Sequence, residues 1–377
     1  MPTYKAEFLY HHFQSPSRTR PRHAYASGFI DQDARLASRV PALANLATHT
    51  PGLARLAKLA AGIDRRRPLP RFAPMTLQEW FARRGGTTNP TGRPVVLFPD
   101  TFDNYFHTQV GVACVEAIEA AGWRVIMPEQ HVCCGRPLYD YGFLDQAEQY
   151  LHRVIDTLRP HLRAGTPVVG MEPSCLAVFK DELTKLLPHD DDALRLSGNS
   201  YHFAEFFQTF GIEPPALRGK ALLWGHCHQR ATGGMDADQD LLEKMGLEVD
   251  NLKGGCCGLA GSWGFESGKY DISLDCGEQA LLPAVRDAGQ DCVVVADGFS
   301  CKTQTEDAGT GRRALHLAEV MKLAREEGRE AVSRRPERAT AARPKPLLGR
   351  RVLRTSAAVA VAVGTAVAAS AVRAARR

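Results

Sequence analysis

The chain contains an internal repeat, and this repeat restricts the possible folds more than any other feature of the sequence. Four landmarks of the first half return in the same order in the second half: PVVLFPDT (94–101) as KALLWGHC (220–227), the turn at Gly122 as the turn at Gly246, HVCCG (131–135) as GGCCG (254–258), and TPVVGMEPSC (166–175) as DCVVVADGFSC (291–301) with one residue inserted. The four offsets lie between 123 and 126 residues. Such regular spacing indicates two homologous modules in tandem.

Each module alternates short apolar runs with segments of helical periodicity. In the first module, PVVLF (94–98) precedes the helical pattern VGVACVEAIEAAG (110–122), and WRVIMP (123–128) precedes LDQAEQYLHRVIDTLRPHL (144–162). The apolar run TPVVGM (166–171) follows. Strands that alternate with helices predict a parallel sheet. The predicted fold class is therefore α/β, with two tandem homologous α/β modules whose sheets are parallel.

Composition changes along the chain and predicts six segments. Residues 1–92 have helical periodicity and many basic residues, but too few apolar residues for a large core of their own. We therefore expect a helical arm that packs on another part of the protein. The predicted segments are the helical basic arm (1–92), the first module (93–188), a connector (189–219), the second module (220–325), a basic linker (326–354) and an Ala/Val-rich tail (355–377).

The formal net charge of +5 is unevenly distributed. Residues 325–377 contain 13 Lys or Arg and 4 Asp or Glu, so the remaining 324 residues have a net charge of −4. A mildly acidic body argues against a nucleic-acid-binding core. In the tail, residues 355–372 are 18 uncharged residues flanked by arginines. As a helix they span about 27 Å, just short of the hydrocarbon core, so the tail either anchors the chain in a membrane or forms a peripheral or merely helical segment.

Ten cysteines are many for a chain of 377 residues, and two pairs of them are adjacent, Cys133-Cys134 and Cys256-Cys257. The N-terminal sequence MPTYKAEFLYHHF lacks the apolar region of a secretory signal. We therefore expect a cytoplasmic protein, attached to the inner face of the membrane if the tail anchors it. In a reducing compartment, clustered cysteines indicate metal or redox chemistry rather than structural disulfides.

The second module supplies four candidate metal ligands: Cys227, Cys256, Cys257 and Cys301. The loops that follow the strands of a parallel sheet gather at one edge, so four thiolates from three loops can converge there. They hold an iron–sulfur cluster or zinc, or they bind no metal. Structural zinc sites ordinarily use two Cys-x-x-Cys elements, whereas the contiguous element here is Cys-Cys-Gly, whose glycine lets the backbone turn close to an inorganic core. The spacing favours the iron–sulfur cluster.

The first module has lost one of these positions. Thr101 stands where the second module has Cys227, which leaves three candidate ligands: Cys133, Cys134 and Cys175. Three thiolates can hold a cluster with an outside ligand, or they are a relic of the duplication. The other cysteines are predicted to lie in the core (Cys114, Cys292) or to be a spare thiol (Cys276).

Three polar residues adjoin Cys227 in WGHCHQR: His226, His228 and Arg230. The two imidazoles either cap a helix in a solvated loop, or donate hydrogen bonds to cluster sulfurs and relay protons from a second layer around the metal. Arg230 either lowers the pKa of nearby thiols through its charge or pairs with an acidic neighbour. The glycine-rich run CCGLAGSWGFE (256–266) lacks the spacings of phosphate-binding loops, so we do not predict nucleotide binding.

These motifs resemble a known family. The duplicated module with Cys-Cys-Gly at its centre resembles the CCG domain that occurs in heterodisulfide reductase, in the anchor subunit of glycerol-3-phosphate dehydrogenase and in the iron–sulfur subunits of glycolate and lactate oxidation systems. Longer stretches are similar to the C-terminal part of FAD-linked oxidases of the D-lactate or glycolate dehydrogenase type: LFPDTFDNYF, CCGRPLYDYG, GMEPSCLAVF, GHCHQ, CCGLAGSWGFE and VADGFSC followed by GRRALHLAEV. The resemblance covers about residues 3–322.

The resemblance implies an iron–sulfur electron-transfer component of a flavin-linked 2-hydroxy-acid oxidoreductase. Its partners would be an FAD-linked oxidase, which carries the FAD, and a ferredoxin-like iron–sulfur unit, and its cluster would pass electrons to a quinone or another acceptor. The chain resembles the detached C-terminal half of such an enzyme, without the flavin domain.

One departure from the family pattern concerns the cluster type. Glu172 and Gly298 replace the first cysteine of the Cys-x-x-Cys that ends the full pattern, which favours an ordinary [4Fe–4S] cluster over noncubane clusters. Two alternatives remain: thiol–disulfide reduction at the cluster, as in heterodisulfide reductase, and a structural zinc-binding or vestigial module without electron flow.

Overall fold

The computed structural model describes residues 2–330, 332 and 335–338. The rest of the predicted basic linker and the whole Ala/Val-rich tail, including the candidate membrane anchor, lie outside the described residues. In the part of the chain that is described, no helix is both long and apolar enough to cross a membrane. The predicted fold class is confirmed, because the protein contains two parallel sheets with helices packed against them.

Six helices precede the first sheet: α1 (Pro2–His12), α2 (Arg22–Gly28), α3 (Ile30–Ala37), α4 (Pro41–His49), α5 (Pro51–Ala61) and α6 (Leu77–Arg83). Prolines begin α4 and α5, where the missing N–H would have no partner within the helix. The first five helices each bury an alanine: Ala6, Ala24, Ala34, Ala44 and Ala54. Because their larger side chains are mostly exposed or half-buried, this arm has little core of its own.

The first sheet has four parallel strands in the order β2-β1-β3-β4: β1 (Pro94–Phe98), β2 (Arg124–Ile126), β3 (Val168–Gly170) and β4 (Ser200–His202). Its helices are α7 (Thr101–Tyr105), α8 (Thr108–Ala120), α9 (Arg136–Asp140), α10 (Leu144–Arg163), α11 (Pro173–Ala177), a π-helical turn (Val178–Glu182), α12 (Leu183–Leu186), α13 (Asp191–Gly198) and α14 (Phe203–Thr209). β4 and α14 lie within residues 189–219, so the segment that we predicted as a connector contributes a strand to this sheet.

The second sheet has three parallel strands in the order β6-β5-β7: β5 (Gly219–Leu223), β6 (Leu247–Asn251) and β7 (Cys292–Val295). Its helices are α15 (Cys227–Thr232), α16 (Asp236–Met245), α17 (Tyr270–Glu278), α18 (Leu281–Asp287), α19 (Phe299–Asp307) and α20 (Leu317–Glu327), with short 3₁₀ turns at Trp263–Phe265 and Pro336–Arg338. The aligned turns at Gly122 and Gly246 both need glycine, since their φ angles are +82° and +106°.

One apolar core joins the two sheets. Val95 and Leu97 of β1 point to one side of the first sheet, and successive residues of a strand alternate between its faces. They belong to the same buried cluster as Ala221 and Leu223 of β5, and α8 packs against α20 within it. The two modules therefore lie against each other through a continuous core, which fixes their relative position.

The arm packs on both modules. Helices α1 and α2 contact α9, and α3 contacts α7, all within the first module. Arg67 is fully buried in the second module, where its guanidinium donates to the Gly264 carbonyl (2.9 Å), the Gln304 side chain (2.8 Å) and the Ser273 hydroxyl (2.6 Å). Arg66 also pairs with Asp271 of α17. The arginine run at 65–67, which in sequence only interrupts the helical pattern, thus contains two residues that bind the arm to the second module.

Candidate metal centre

Three elements of the second module bring its four candidate ligands together. Cys227 is the first residue of α15, just after β5; Cys256 and Cys257 lie in the loop after β6; and Cys301 lies in the first turn of α19, after β7. All four therefore occupy the carboxyl edge of the parallel sheet, where the sequence pattern predicts them. Within residues 2–330 all ten cysteines are free thiols.

The four thiols form a continuous hydrogen-bonded series. Hydrogen bonds from the Cys227 and Cys257 thiols lower the pKa of Cys256 to about 2, and the Gly258 N–H also donates to the Cys256 sulfur at 3.3 Å. Hydrogen bonds with Cys256 and Cys301 raise the pKa of Cys257. A thiolate is the form that binds metal. The series therefore has the donor chemistry of a soft-metal site.

The three cysteines of the first module are gathered in the same way. The sulfurs of Cys134 and Cys175 are 2.9 Å apart, and Cys133 is hydrogen-bonded to Cys134. All three side chains are buried, and burial raises the pKa of Cys134. The Thr101 hydroxyl is hydrogen-bonded to Cys133, at the corner where the second module has Cys227. The structure thus brings together both predicted cysteine sets.

Both sets line a single cavity between the modules. Its volume is about 320 Å³, and six of the cysteines contribute to its wall: Cys133, Cys134, Cys175, Cys227, Cys256 and Cys257. Aromatic side chains such as Phe102, Phe299 and Trp263 complete the lining. Charged side chains such as Arg136 and Glu172 also reach the wall. A cavity with several thiols on a mostly apolar wall fits an inorganic iron–sulfur core, because thiolates ligate iron.

His228 also lines this cavity, and one of its two ring nitrogens has no hydrogen-bond partner among the residues described. The Arg136 guanidinium donates to its Nε2 at 2.6 Å, so the neutral ring carries its proton on Nδ1. Burial and the charge of Arg136 lower the pKa of His228 to about 2, which keeps the ring neutral. The buried Nδ1 has no hydrogen-bond partner among the residues described. It is a donor available to a sulfur or to a group bound in the cavity.

The other two predicted neighbours of Cys227 have structural contacts. His226 is buried and caps α15, since its Nδ1 accepts from the His228 N–H at 3.3 Å. Arg230 donates to the carbonyls of Gly254 and Leu252, each at 2.5 Å, and thereby holds the segment that leads to Cys256. The cap at His226 matches the helix-capping alternative, although His226 is buried and does not lie in a solvated loop. Arg230 has backbone carbonyls as partners and not the acidic neighbour that the sequence left open.

Glu172 connects the two modules at the site. It is 3% exposed, and its Oε1 accepts from the backbone N–H of Ser174 (3.1 Å), which caps α11, the helix of Cys175. Its Oε2 accepts from the backbone N–H of Phe299 (2.7 Å), at the start of α19, the helix of Cys301. One carboxylate therefore binds the N-termini of both ligand-bearing helices, where negative charge is favourable.

Gly298 occupies the position of Glu172 in the second module. Both residues are the N-caps of their helices, α19 and α11, three residues before a candidate ligand. A Cβ atom at Gly298 would collide with the ring of His226. The two departures from the family's Cys-x-x-Cys pattern thus have physical reasons, since one residue joins the modules and the other leaves room for the cap of α15.

Sequence reasoning missed a second polar cluster beside the first module's cysteines. Asp31 of the arm is 3% exposed and accepts from His131 Nε2 (2.5 Å) and from the Thr101 hydroxyl (3.2 Å). His131 Nδ1 is in turn hydrogen-bonded to the Tyr105 hydroxyl at 2.8 Å. Asp31 lies about 100 residues before the cysteines in sequence, and nothing in its local pattern signals the contact.

The remaining predictions concern cysteines away from the cavity. Cys114 is fully buried in α8 and Cys292 is buried at the start of β7, which confirms both as core residues. Cys276 is half-buried in α17, outside the hydrogen-bonded thiols.

Arg136 is a further residue that the sequence analysis did not single out. It is buried beside the first module's cysteines and forms ion pairs with Glu182 and with Asp140.

Comparison with known proteins agrees with this geometry. The model of the CCG cysteine-rich domain matches residues 100–180 and 227–305, one match in each module. Lactate utilization protein A of Anoxybacillus flavithermus is 30% identical over 243 residues, which cover 60% of this chain and 98% of that protein.

Two further relatives are longer than the matched region. One subunit of the anaerobic glycerol-3-phosphate dehydrogenase of Escherichia coli K12 is 29% identical over 264 residues, 68% of this chain and 65% of that protein. D-2-hydroxyglutarate dehydrogenase of Pseudomonas putida is 26% identical over 231 residues, 61% of this chain and 22% of that protein. The chain thus spans about two thirds or less of these two relatives. With two matches to the domain and a near full-length match to a relative, the chain belongs to the family of CCG cysteine-rich domain proteins.

Proposed function

We propose that this protein is an iron–sulfur electron-transfer component of an oxidoreductase system. Cys227, Cys256, Cys257 and Cys301 would hold a [4Fe–4S] cluster. The observation that carries the proposal is the continuous series of four thiols from three loops, which line or adjoin one cavity between the modules. Three relatives are named for glycerol-3-phosphate, lactate or 2-hydroxyglutarate metabolism, which supports a role beside a dehydrogenase.

In this proposal, electrons come from a partner. An FAD-linked 2-hydroxy-acid oxidase and a ferredoxin-like unit would supply them one at a time, and a quinone or another acceptor would receive them. When bound, the cluster supplies a one-electron carrier whose potential depends on its surroundings. The chain's own residues set those surroundings: Phe299 and Trp263 exclude water, and the free Nδ1–H of His228 can donate to sulfur, which stabilises the more negative state.

Metal analysis of the anaerobically purified chain tests the proposal. We expect about four or more irons per chain with a matching amount of sulfide, and an EPR signal that changes on reduction with dithionite. The matched variants are Cys257→Ala, a proposed ligand, and Cys276→Ala, which lies outside the thiol series. The first should lose the signal of the second module and the other should keep it. Zinc in place of iron, or no metal in any preparation, would contradict the electron-transfer role.

A zinc site has one observation in its favour. The donor atoms of His226, Cys227 and His228 lie within 4.8 Å of one another. However, Arg136 already donates to His228 Nε2, so that ring has one nitrogen engaged. His226 has both nitrogens engaged, since its Nδ1 caps α15 and its Nε2 is hydrogen-bonded to the Ser300 hydroxyl at 3.4 Å. We therefore favour the thiol set, and the iron-to-zinc ratio decides between the two.

A second function, thiol–disulfide reduction, is favoured by the cavity itself. The cavity that Cys256 and Cys257 line is also lined by Cys133 and Cys134, so a small disulfide could contact both sets. Reduction of one disulfide would take two protons and two electrons, each electron supplied by one reduced cluster, and would release two thiols. To test it, dithionite-reduced protein freed of excess reductant is mixed with a small-molecule disulfide, and both thiol release and cluster reoxidation are followed. Reoxidation by a soluble quinone without thiol release from the disulfide would favour the electron-transfer role.

A further inference from the structure

The first module contains a buried oxygen site where the second has its fourth thiol. Thr101 is the first residue of α7 after β1, and Cys227 is the first residue of α15 after β5. The two positions are thus equivalent in the fold as well as in the sequence repeat. The Thr101 side chain is 4% exposed and is hydrogen-bonded to Cys133, which is equivalent to Cys256. The thiol that is missing from the first module is therefore replaced by a hydroxyl that faces the same neighbour.

A carboxylate from the arm completes this corner. Asp31 accepts hydrogen bonds from Thr101 (3.2 Å) and from His131 (2.5 Å), and the Tyr150 hydroxyl also contacts it. Tyr105 holds the other nitrogen of His131 at 2.8 Å. Three side chains thus contact one buried carboxylate beside Cys133, and Tyr105 orients one of the three, His131. Such fixation of a metal-binding carboxylate by hydrogen bonds is common around metal centres.

We infer that the first module holds a second iron–sulfur cluster with three thiolate ligands and an oxygen-ligated fourth iron. Cys133, Cys134 and Cys175 would bind three irons, the Asp31 carboxylate would bind the fourth, and Thr101 and His131 would position that carboxylate. The inference rests on the proposed iron–sulfur function. It gives the arm a direct role, because one of its residues is a ligand.

An oxygen-ligated iron has a distinctive chemistry. Carboxylate is a harder ligand than thiolate and holds iron of a cluster less tightly. Mild oxidation by ferricyanide therefore removes one electron from [4Fe–4S]²⁺ to give the 3+ state, which releases Fe²⁺ and leaves [3Fe–4S]⁺. The second module, with four thiolates, should keep its irons under the same treatment.

The test compares the full-length chain with Thr101→Cys, Asp31→Ala and Asp33→Ala. Asp33 lies on the same helix, α3, but outside the Asp31 cluster, so it is the matched control. We expect the wild type to bind about eight irons and to lose about one on ferricyanide treatment, with the EPR signal of an oxidised three-iron cluster. Thr101→Cys restores a fourth thiolate and should abolish both the iron loss and the signal. Asp31→Ala should speed iron loss by roughly 10-fold or more, whereas Asp33→Ala should behave as the wild type.

Other results overturn the inference. About four irons in both the wild type and Thr101→Cys, without a three-iron signal, would mean that the first module is vestigial, while the proposed function of the second module would stand. A three-iron signal that persists in Thr101→Cys would place the labile iron elsewhere. Unchanged iron loss in Asp31→Ala would exclude the carboxylate as the ligand. An iron-free chain would overturn the inference and the proposed function together. Thr101→Cys is a small change, so the test remains decisive even if Asp31→Ala does not fold.

Discussion

In both modules a helix begins just after the first strand of the sheet, but the first residue of that helix is Cys227 in the second module and Thr101 in the first. The second module completes its set with a thiol on an exposed residue. In the first module every thiol is buried, and the missing corner is filled by a hydroxyl and a carboxylate from the arm. The comparison shows that the repeated sheet determines where the ligand positions lie, whereas the side chain at each position determines the chemistry available there.

The largest expected effect comes from removing one central thiol from each module. We expect Cys257→Ala to lose about four irons per chain, and Cys134→Ala to lose the separate irons of the first module, because each thiol is hydrogen-bonded to two others of its own set. Iron and sulfide analysis of both variants measures this. If Cys257→Ala also removes the irons of the first module, the two sets form one centre and the comparison between two sites fails.

The next effect concerns the buried charge that crosses between the modules. Arg136 pairs with Glu182 and donates to His228 of the second module at 2.6 Å. Arg136→Met leaves the buried Glu182 carboxylate without its main partner, so we expect a loss of about 3–5 kcal/mol in the free energy of unfolding. Denaturant unfolding of the metal-free chain measures it, with the exposed Arg153→Met as control. Equal stability of the two variants would show that the modules do not depend on this contact.

Much of this comparison could be predicted from sequence. The fold class, the equivalence of Thr101 with Cys227 and the convergence of the four cysteines all follow from the repeat and from the rule that loops gather at the carboxyl edge of a parallel sheet. These are local patterns at fixed spacing, and the structure places each of them as expected.

The contacts that the sequence did not reveal are long-range and polar. Asp31 lies 70 residues from Thr101, Arg67 lies 237 residues from Gln304, and Glu172 lies 127 residues from Phe299. Each is a charged residue in a stretch where charge would ordinarily indicate exposure. Each of the three residues becomes buried and paired only because the arm and the two modules pack together, and no periodicity in the sequence predicts that packing.

A smaller effect tests the junction at Glu172. Glu172→Ala removes the acceptor of the Phe299 N–H in the second module and that of the Ser174 N–H in the first. We expect a loss of about 2–3 kcal/mol, more than an ordinary helix cap, because a buried donor is left unpaired. Asp190→Ala is the control, since Asp190 caps only α13 within the first module and should cost about 1 kcal/mol. Equal losses, measured by unfolding of the metal-free chain, would mean that Glu172 is a cap of one helix and not a link between modules.

The smallest effect compares two equivalent aspartates by pH. Asp307 at the end of α19 has the same offset from Asp181 as Cys301 has from Cys175. Asp181 is exposed and pairs with Lys185, whereas burial raises the pKa of Asp307 to about 7, although Arg67 lies 3.9 Å away. Because the native state keeps a proton on Asp307 up to that pKa and the unfolded chain releases it near about 4, wild-type stability falls as pH rises from about 4 to about 7.

Asp307→Asn removes the ionisable carboxyl group, and with it the loss of stability that this group causes as the pH rises. We expect the variant to gain about 1 kcal/mol over the wild type at about pH 8, a value reduced from the full linkage because the carboxyl is partly solvated, and to show little gain at about pH 5. Asp181→Asn should show no such gain at either pH, since the Asp181 side chain lies at the surface and pairs with Lys185. Thermal unfolding of both variants at the two pH values checks this. A gain at Asp181 equal to that at Asp307 would mean that burial does not distinguish the two positions, and that the two modules are more alike at this helix than their contacts indicate.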